Sequence, residues 1–181
     1  MKGILKVQIM HKIIFNFPIS RATYMSLATI ILLCSGIKTS EGTGLPLPRF
    51  VSLRADQINM RTGPGVQYPI EWVYQRQELP VEIIAEYRTW RKVRDWQSTQ
   101  GWIHQSMLSS RRTIIITGKR RTIRKRANTK SKAIAEIESG AIADLVECPG
   151  ESGWCLIKTK NFKGWLRKVE FWGAYRDEIL N

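Results

Sequence analysis

The chain has 181 residues, with 29 Lys and Arg against 15 Asp and Glu and a net charge of +14. At 43% hydrophobic and 24% charged residues the composition is globular, not disordered or collagen-like, and the length suits one medium or two small domains, which excludes a large multidomain enzyme. Three cysteines are too few for a disulfide-dense scaffold, and two histidines leave little for His-based catalysis or metal binding.

Residues 1–36 contain Lys2, Lys6, Lys12 and Arg21, no acidic residue, and a closing apolar run from Met25 to Cys34 followed by Ser35 and Gly36. A basic stretch, a short apolar run and small residues after it are the pattern of a secretory signal peptide. The run is shorter than the roughly 20 residues a membrane-spanning helix needs. The competing reading is an uncleaved anchor, because Ile4 to Phe17 is also apolar. Leu33 stands before Cys34 where a lipoprotein signal carries a small residue, so no lipid anchor is expected. The expectation is an exported protein, periplasmic or extracellular, with no stable membrane span once the leader is cleaved. Residues 37–48, Gly- and Pro-rich from Glu41 onward, read as a linker.

The remainder repeats. Ile58-Asn-Met-Arg61 recurs as Arg121-Thr-Ile-Arg124, Trp90-Arg-Lys-Val93 as Trp154-Cys-Leu-Ile157, and Gly101-Trp102-Ile103 as Gly164-Trp165-Leu166, at a spacing of 63 or 64 residues. Residues 49–110 form the first unit, 111–173 the second, and 174–181 a C-terminal tail. Short β-rich segments alternate with turns: Val81–Ala85, Trp90–Arg94 and Gly101–His104 in the first unit, and Ala141–Val146, Trp154–Lys158 and Gly164–Arg167 in the second. Ile70–Tyr74 and Ala133–Ile137 are each a short turn or strand, and Arg112–Thr117 an extra strand between the units. No segment carries a long helical apolar stripe. The expectation is an all-β chain of two tandem small barrels.

Asn59-x-Arg61-x-Gly63-Pro64-Gly65, Leu79-Pro-Val81, Trp90-x-x-Val93 and Gly101-Trp102 resemble the bacterial SH3-like (SH3b) domain. Cys148, Trp154-Cys155, Gly164-Trp165 and Trp172-Gly173 resemble the second half of the exported two-repeat form of that family. The resemblance covers about residues 49 to 173 and implies a domain that binds cell-wall material or protein ligands, often beside a hydrolase. The second repeat departs from the pattern, with Arg124-Lys-Arg-Ala-Asn128 in place of the Arg-x-Gly-Pro motif.

Beyond the leader His104 is the only histidine, and neither Cys148 nor Cys155 lies in its repeat. No nucleophile–base pair, metal-ligand set or phosphate loop is patterned, so neither catalysis, a metal nor a cofactor is expected. In an oxidising compartment Cys148 and Cys155 suit a disulfide, the intervening Pro-Gly-Glu-Ser-Gly supplying a turn; the alternative is two free thiols. Trp90/Trp154 and Trp102/Trp165 recur in both units and read as core or barrel-closing packing. Trp72, Trp96 and Trp172 have no counterpart. Trp96, in a polar loop, is expected to be exposed, and with Tyr68 and Trp72 to line a groove for a peptide or glycan; the alternative is that Tyr68 and Trp72 plug the barrel or the seam between repeats.

Charge is uneven. Residues 111–132 hold ten Lys and Arg and no acid. Such a stretch attracts polyanions, and Arg120, Arg121, Arg124 and Arg126 are candidate contacts for an anionic envelope surface; the alternative is a solvated loop. Nucleic acid is not the expected partner of an exported chain. The sequence therefore points to an exported non-catalytic binding module for cell-wall peptide or glycan or other anionic envelope material, or else to an adaptor docking on another envelope protein such as a hydrolase.

Overall fold

The computed structural model describes residues 44–181; the leader expected at 1–36 and the linker up to residue 43 lie outside the described residues. The first repeat folds as β1 (Arg49–Leu53), β2 (Ile58–Arg61), β3 (Ile70–Tyr74), β4 (Pro80–Tyr87), β5 (Trp90–Arg94), β6 (Gln100–His104) and β7 (Leu108–Ser109). The second folds as β8 (Thr113–Ile116), β9 (Arg121–Arg124), β10 (Ala133–Ile137), β11 (Ile142–Glu147), β12 (Trp154–Lys158), β13 (Lys163–Arg167) and β14 (Phe171–Trp172). Three 3-10 turns, at Gln105–Met107, Gly150–Ser152 and Lys168–Glu170, are the helical pieces among the described residues. The sheet orders, β3-β2-β6-β5-β4-β1-β7 and β10-β9-β13-β12-β11-β8-β14, are the same path walked twice. The all-β tandem architecture is as the repeat predicts.

The Gly-Trp motif exists because strands cross closely. A Cβ on Gly101 would sit 2.5 Å from the Met60 side chain and 3.0 Å from the Arg61 carbonyl; on Gly164 it would sit 2.5 Å from Ile123 and 2.8 Å from the Arg124 carbonyl. Only glycine lets β6 lie against β2, and β13 against β9, at this distance.

Two expectations are revised. Arg112–Thr117 is no extra strand: it contains β8, which opens the second barrel as β1 opens the first. Its apolar run is explained by burial on both faces, Ile114 and Ile116 entering the second core and Ile115 joining Leu53, Val81 and Leu108 in the first. The paired tryptophans Trp90/Trp154 and Trp102/Trp165 do not fill the cores. Val93, Ile103, Ile157 and Leu166 do, and strand alternation turns their tryptophan neighbours to the other face, half-buried.

The two barrels form one body. Phe50 of β1 packs edge-on against Trp172 at 4.8 Å between centroids and, tilted by 42°, against Tyr175 at 4.7 Å, with the Arg112 guanidinium 5.7 Å from its ring centre. Arg111 pairs with both Glu78 and Asp144, and Thr113 Oγ1 donates to the Glu78 carbonyl at 2.7 Å. Residues 174–181 fold back on this seam. The Tyr175 hydroxyl donates to Glu82 at 2.9 Å, Arg112 pairs with Glu178, and Leu180 bridges to Cys148. Cys148 and Cys155 are disulfide-bonded and fully buried, tying the end of β11 to β12. Residues 40–181 form a compact unit containing all fourteen strands and both cores.

Candidate functional site

At one end of the first barrel the β2–β3 loop, residues 62–69, and the β5–β6 turn, residues 95–99, emerge side by side, because Arg61 lies opposite both Ile70 and Trp102. Arg61 builds the first loop. Its Nη1 donates to the carbonyls of Tyr68 at 2.7 Å and Val66 at 3.1 Å. Gly63 is needed because its missing Cβ would lie 2.4 Å from the Tyr68 ring. The Arg-x-Gly motif is thus a clamp and a gap, and together they lay Tyr68 across the loop with 40% of its surface exposed.

Asp95 builds the turn. Its buried carboxylate accepts from the amides of Gln97 and Thr99, each at 2.9 Å, and from the Tyr74 hydroxyl at 3.1 Å. Burial first, then the charge and hydrogen bond of Asp95, push the Tyr74 phenol well above its ordinary range. Trp96 follows at once. Contrary to its expected exposure, it is half-buried and packs against the first core, because the turn folds back over the barrel end. Trp72 is opposite the fully buried Met60 on the edge strand β3, where no further strand covers it, and is 50% exposed. Ile70 and Val73 on the same strand are also exposed. The structure therefore leaves Tyr68, in the β2–β3 loop, and Trp72, on the edge strand that follows it, as accessible aromatics, while Trp96 is partly covered against the first core. Trp172, also without a sequence counterpart, belongs to the seam on Phe50.

In the second barrel the clamp survives and the gap does not. Arg124 Nη1 donates to the Ser131 carbonyl at 2.8 Å, the counterpart of the Arg61 bond to Tyr68, while Arg126 stands where Gly63 would be. Arg120 is held by Glu138 at 2.5 Å and Glu136 at 3.2 Å, and the hydrogen bonds and charges of both raise its pKa further. Arg121 donates to the Thr117 carbonyl at 3.1 Å. These three arginines line one cavity of about 330 Å³ with Trp154 and Arg167, whereas Arg126 lies in a separate concavity with Lys125, Lys130 and Lys132. The four arginines grouped by sequence divide between two places, and cross-strand carboxylates already engage Arg120.

His104 bonds through Nδ1 to Ser106 Oγ at 2.7 Å and stacks edge-on with Trp90, a strand-end arrangement. Among the described residues no group of three or more His, Cys, Asp or Glu converges as metal ligands do. Among them, too, no helix is long and apolar enough to cross a membrane.

Residues 54–110 and 117–173 each match the bacterial SH3 domain family, and the chain belongs to that family, whose members are binding modules for cell-wall material. No curated protein sequence matches the chain. Among solved structures it is similar to NlpC1 and NlpC2 of Trichomonas vaginalis, each at 11% identity and a TM-score of 0.33, covering 75% and 71% of this chain respectively. The chain spans 49% of the length of each of those proteins.

Proposed function

We propose that this protein is an exported, non-catalytic module that binds cell-wall peptide or glycan through the aromatic end of its first barrel. The observation that carries the proposal is the accessible pair Tyr68 and Trp72, presented beside a loop fixed by Arg61 and Gly63. Aromatic faces give a large, stiff contact area at small entropic cost, and Trp and Tyr dominate the energetics of such contacts. Trp96, half-buried against the first core, offers less of its ring to a ligand than Tyr68 or Trp72. Cationic residues of the second barrel, Arg120, Arg121, Arg124 and Arg126 among them, favour an anionic envelope beside the ligand. The buried Cys148–Cys155 disulfide supports an oxidising compartment, periplasmic or extracellular, and a leader at residues 1–36 would deliver the chain there.

The test is co-sedimentation of residues 40–181 with isolated peptidoglycan sacculi. Trp72→Ala and Tyr68→Ala should each weaken binding about tenfold, with melting behaviour close to that of the parent because both side chains are substantially exposed. Unchanged sedimentation of folded variants would overturn the proposal. Failure of the parent to sediment at any ionic strength would instead favour docking on an envelope protein.

A further inference from the structure

The corresponding end of the second barrel has a different chemistry. Arg124, the last residue of β9, lies opposite Ala133 at the start of β10 and opposite Trp165 near the start of β13, and Lys163 of β13 lies opposite Lys158 of β12. The 125–132 loop and the 159–162 turn therefore leave the barrel together. The loop carries Lys125, Arg126, Lys130 and Lys132; the turn and its two flanking residues add Lys158, Lys160 and Lys163. All seven are exposed, neither segment contains an acidic residue, and none of the seven forms a salt bridge among the described residues. That contrasts with Arg111, Arg112, Arg120 and Arg167, each of which has its carboxylate.

Between Lys160 and Lys163 the turn carries an apolar residue. Phe162 is 46% exposed. Its backbone is pinned by Thr159, whose Oγ1 accepts from the Phe162 amide at 3.0 Å and whose amide donates to the Phe162 carbonyl at 2.8 Å. Ile134, exposed at the start of β10, stands by Gly164 at the same barrel end. The fold does not require this combination. The equivalent segments of the first barrel, 62–69 and 95–99 with its flanking residues Arg94 and Gln100, contain a single cation, Arg94, which pairs with Glu82, and their one carboxylate, Asp95, is buried.

Crowded unpaired cations repel one another, so folding gains nothing from them; an external anion does. The shape of the patch selects among anions. A soluble polyanion would satisfy the charges and leave Phe162 in water. An anionic bilayer satisfies both, with headgroup phosphates in the concavity lined by Lys125, Arg126, Lys130 and Lys132 and an apolar boundary for a protruding ring. Lysines suit that role because their stems lie along apolar material while the ammonium groups stay at the phosphates. We infer that this end of the second barrel docks on an anionic phospholipid surface, with Phe162 entering the interface. This surface is separate from the aromatic site of the first barrel.

The experiment is partitioning of residues 40–181, a unit lacking the apolar leader segment, onto vesicles of phosphatidylcholine with and without phosphatidylglycerol. Binding should require phosphatidylglycerol and fall steeply with salt. Each of Lys160→Gln and Lys163→Gln should lower the partition coefficient about fivefold. Phe162→Ser should lower it about fivefold or more without altering heparin binding. Trp72→Ala should leave it unchanged, so loss of the wall-binding proposal and loss of this one are separable. Equal binding to neutral vesicles would overturn the inference. So would no binding to either vesicle, or a Phe162→Ser variant that partitions like the parent while the lysine variants do not, which would mark a site for soluble polyanions.

Discussion

Phe50→Ala tests whether the two barrels are one folding unit. Phe50 belongs to the first barrel and is 8% exposed, yet its ring contacts are Trp172, Tyr175 and Arg112, all beyond residue 110. Truncation leaves a void that cannot close easily. Trp172 is held by β14 pairing with Ile115, and Tyr175 by its hydrogen bond to Glu82. A buried Phe→Ala change with little relaxation costs about 3–5 kcal/mol. The low end, about 3 kcal/mol, applies at a seam with partly exposed neighbours. With a urea dependence of about 2 kcal/mol/M, the midpoint should fall by about 1.5 M. Equilibrium urea unfolding of the full chain, followed by both tryptophan fluorescence and far-UV circular dichroism, reads this directly. The parent should unfold in one coincident transition, because Ile115 of the second barrel lies in the first core. The variant should show a lower midpoint and separation of the two probes. A midpoint shift below about 0.5 M would refute the reasoning, since the seam would then be an ordinary wet contact between independent domains.

Opening the disulfide is the second perturbation. Cys148 and Cys155 are seven residues apart, so the closed loop is short and the expected loss in Cys155→Ala is about 2.5 kcal/mol by loop entropy. Reductant should lower the urea midpoint of the parent similarly, and the Leu180 amide, which bonds to the Cys148 carbonyl at 3.1 Å, should exchange faster; a midpoint indifferent to reductant would contradict this. Glu178 gives a pH dependence. Burial pushes its carboxyl up, but the Arg112 hydrogen bond, the Tyr175 amide and the charges of Arg112 and Lys168 outweigh it, so the pKa is lowered from 4.5. Its contribution to stability is complete above that value and is lost as pH falls through the lower folded-state pKa. Glu178→Gln should therefore be less stable than the parent at neutral pH and show a flatter acid-side slope, measured as midpoint against pH; parallel slopes would rule out the linkage.

The repeat and the all-β architecture were legible because the same constraints recur in both halves and leave the same residue types at matching positions. Gly101 and Gly164 answer to the same close strand crossing, β6 on β2 and β13 on β9, and the spacing of about 63 residues carried through to nearly every strand. β1 and β8 were less legible: Arg49–Leu53 has a weak alternation, and the Ile114–Ile116 run records burial in two cores, which a single-barrel pattern does not anticipate. The site was only half legible. Asn-x-Arg-x-Gly-Pro marked the Tyr68 loop, but Trp96 was expected to be exposed, since its polar neighbours gave no sign that Asp95 curls the turn inward. Counting charge along the chain captured Lys125, Arg126, Lys130 and Lys132 but neither the carboxylates facing Arg120 nor the lysines of the neighbouring turn. Arg120 meets Glu136 and Glu138 across a strand pair, where a window over 111–132 sees no acid. The lysines at 158, 160 and 163 were hidden by a net negative tally for residues 133–181. Cross-strand neighbours set local potential, and they lie far apart in sequence.

The arginine shared by both loops has a consequence for how such barrels diversify. Arg61 and Arg124 each grip a main-chain oxygen seven positions on, Tyr68 in one case and Ser131 in the other. A main-chain acceptor is indifferent to the side chain attached to it. The span between grip and acceptor can change from Thr-Gly-Pro-Gly-Val-Gln to Lys-Arg-Ala-Asn-Thr-Lys while its anchorage persists, as the two halves of this chain illustrate. The anchor separates the geometry of the loop from its vocabulary. It makes the six intervening positions a natural place to graft new recognition sequences, provided the arginine is kept.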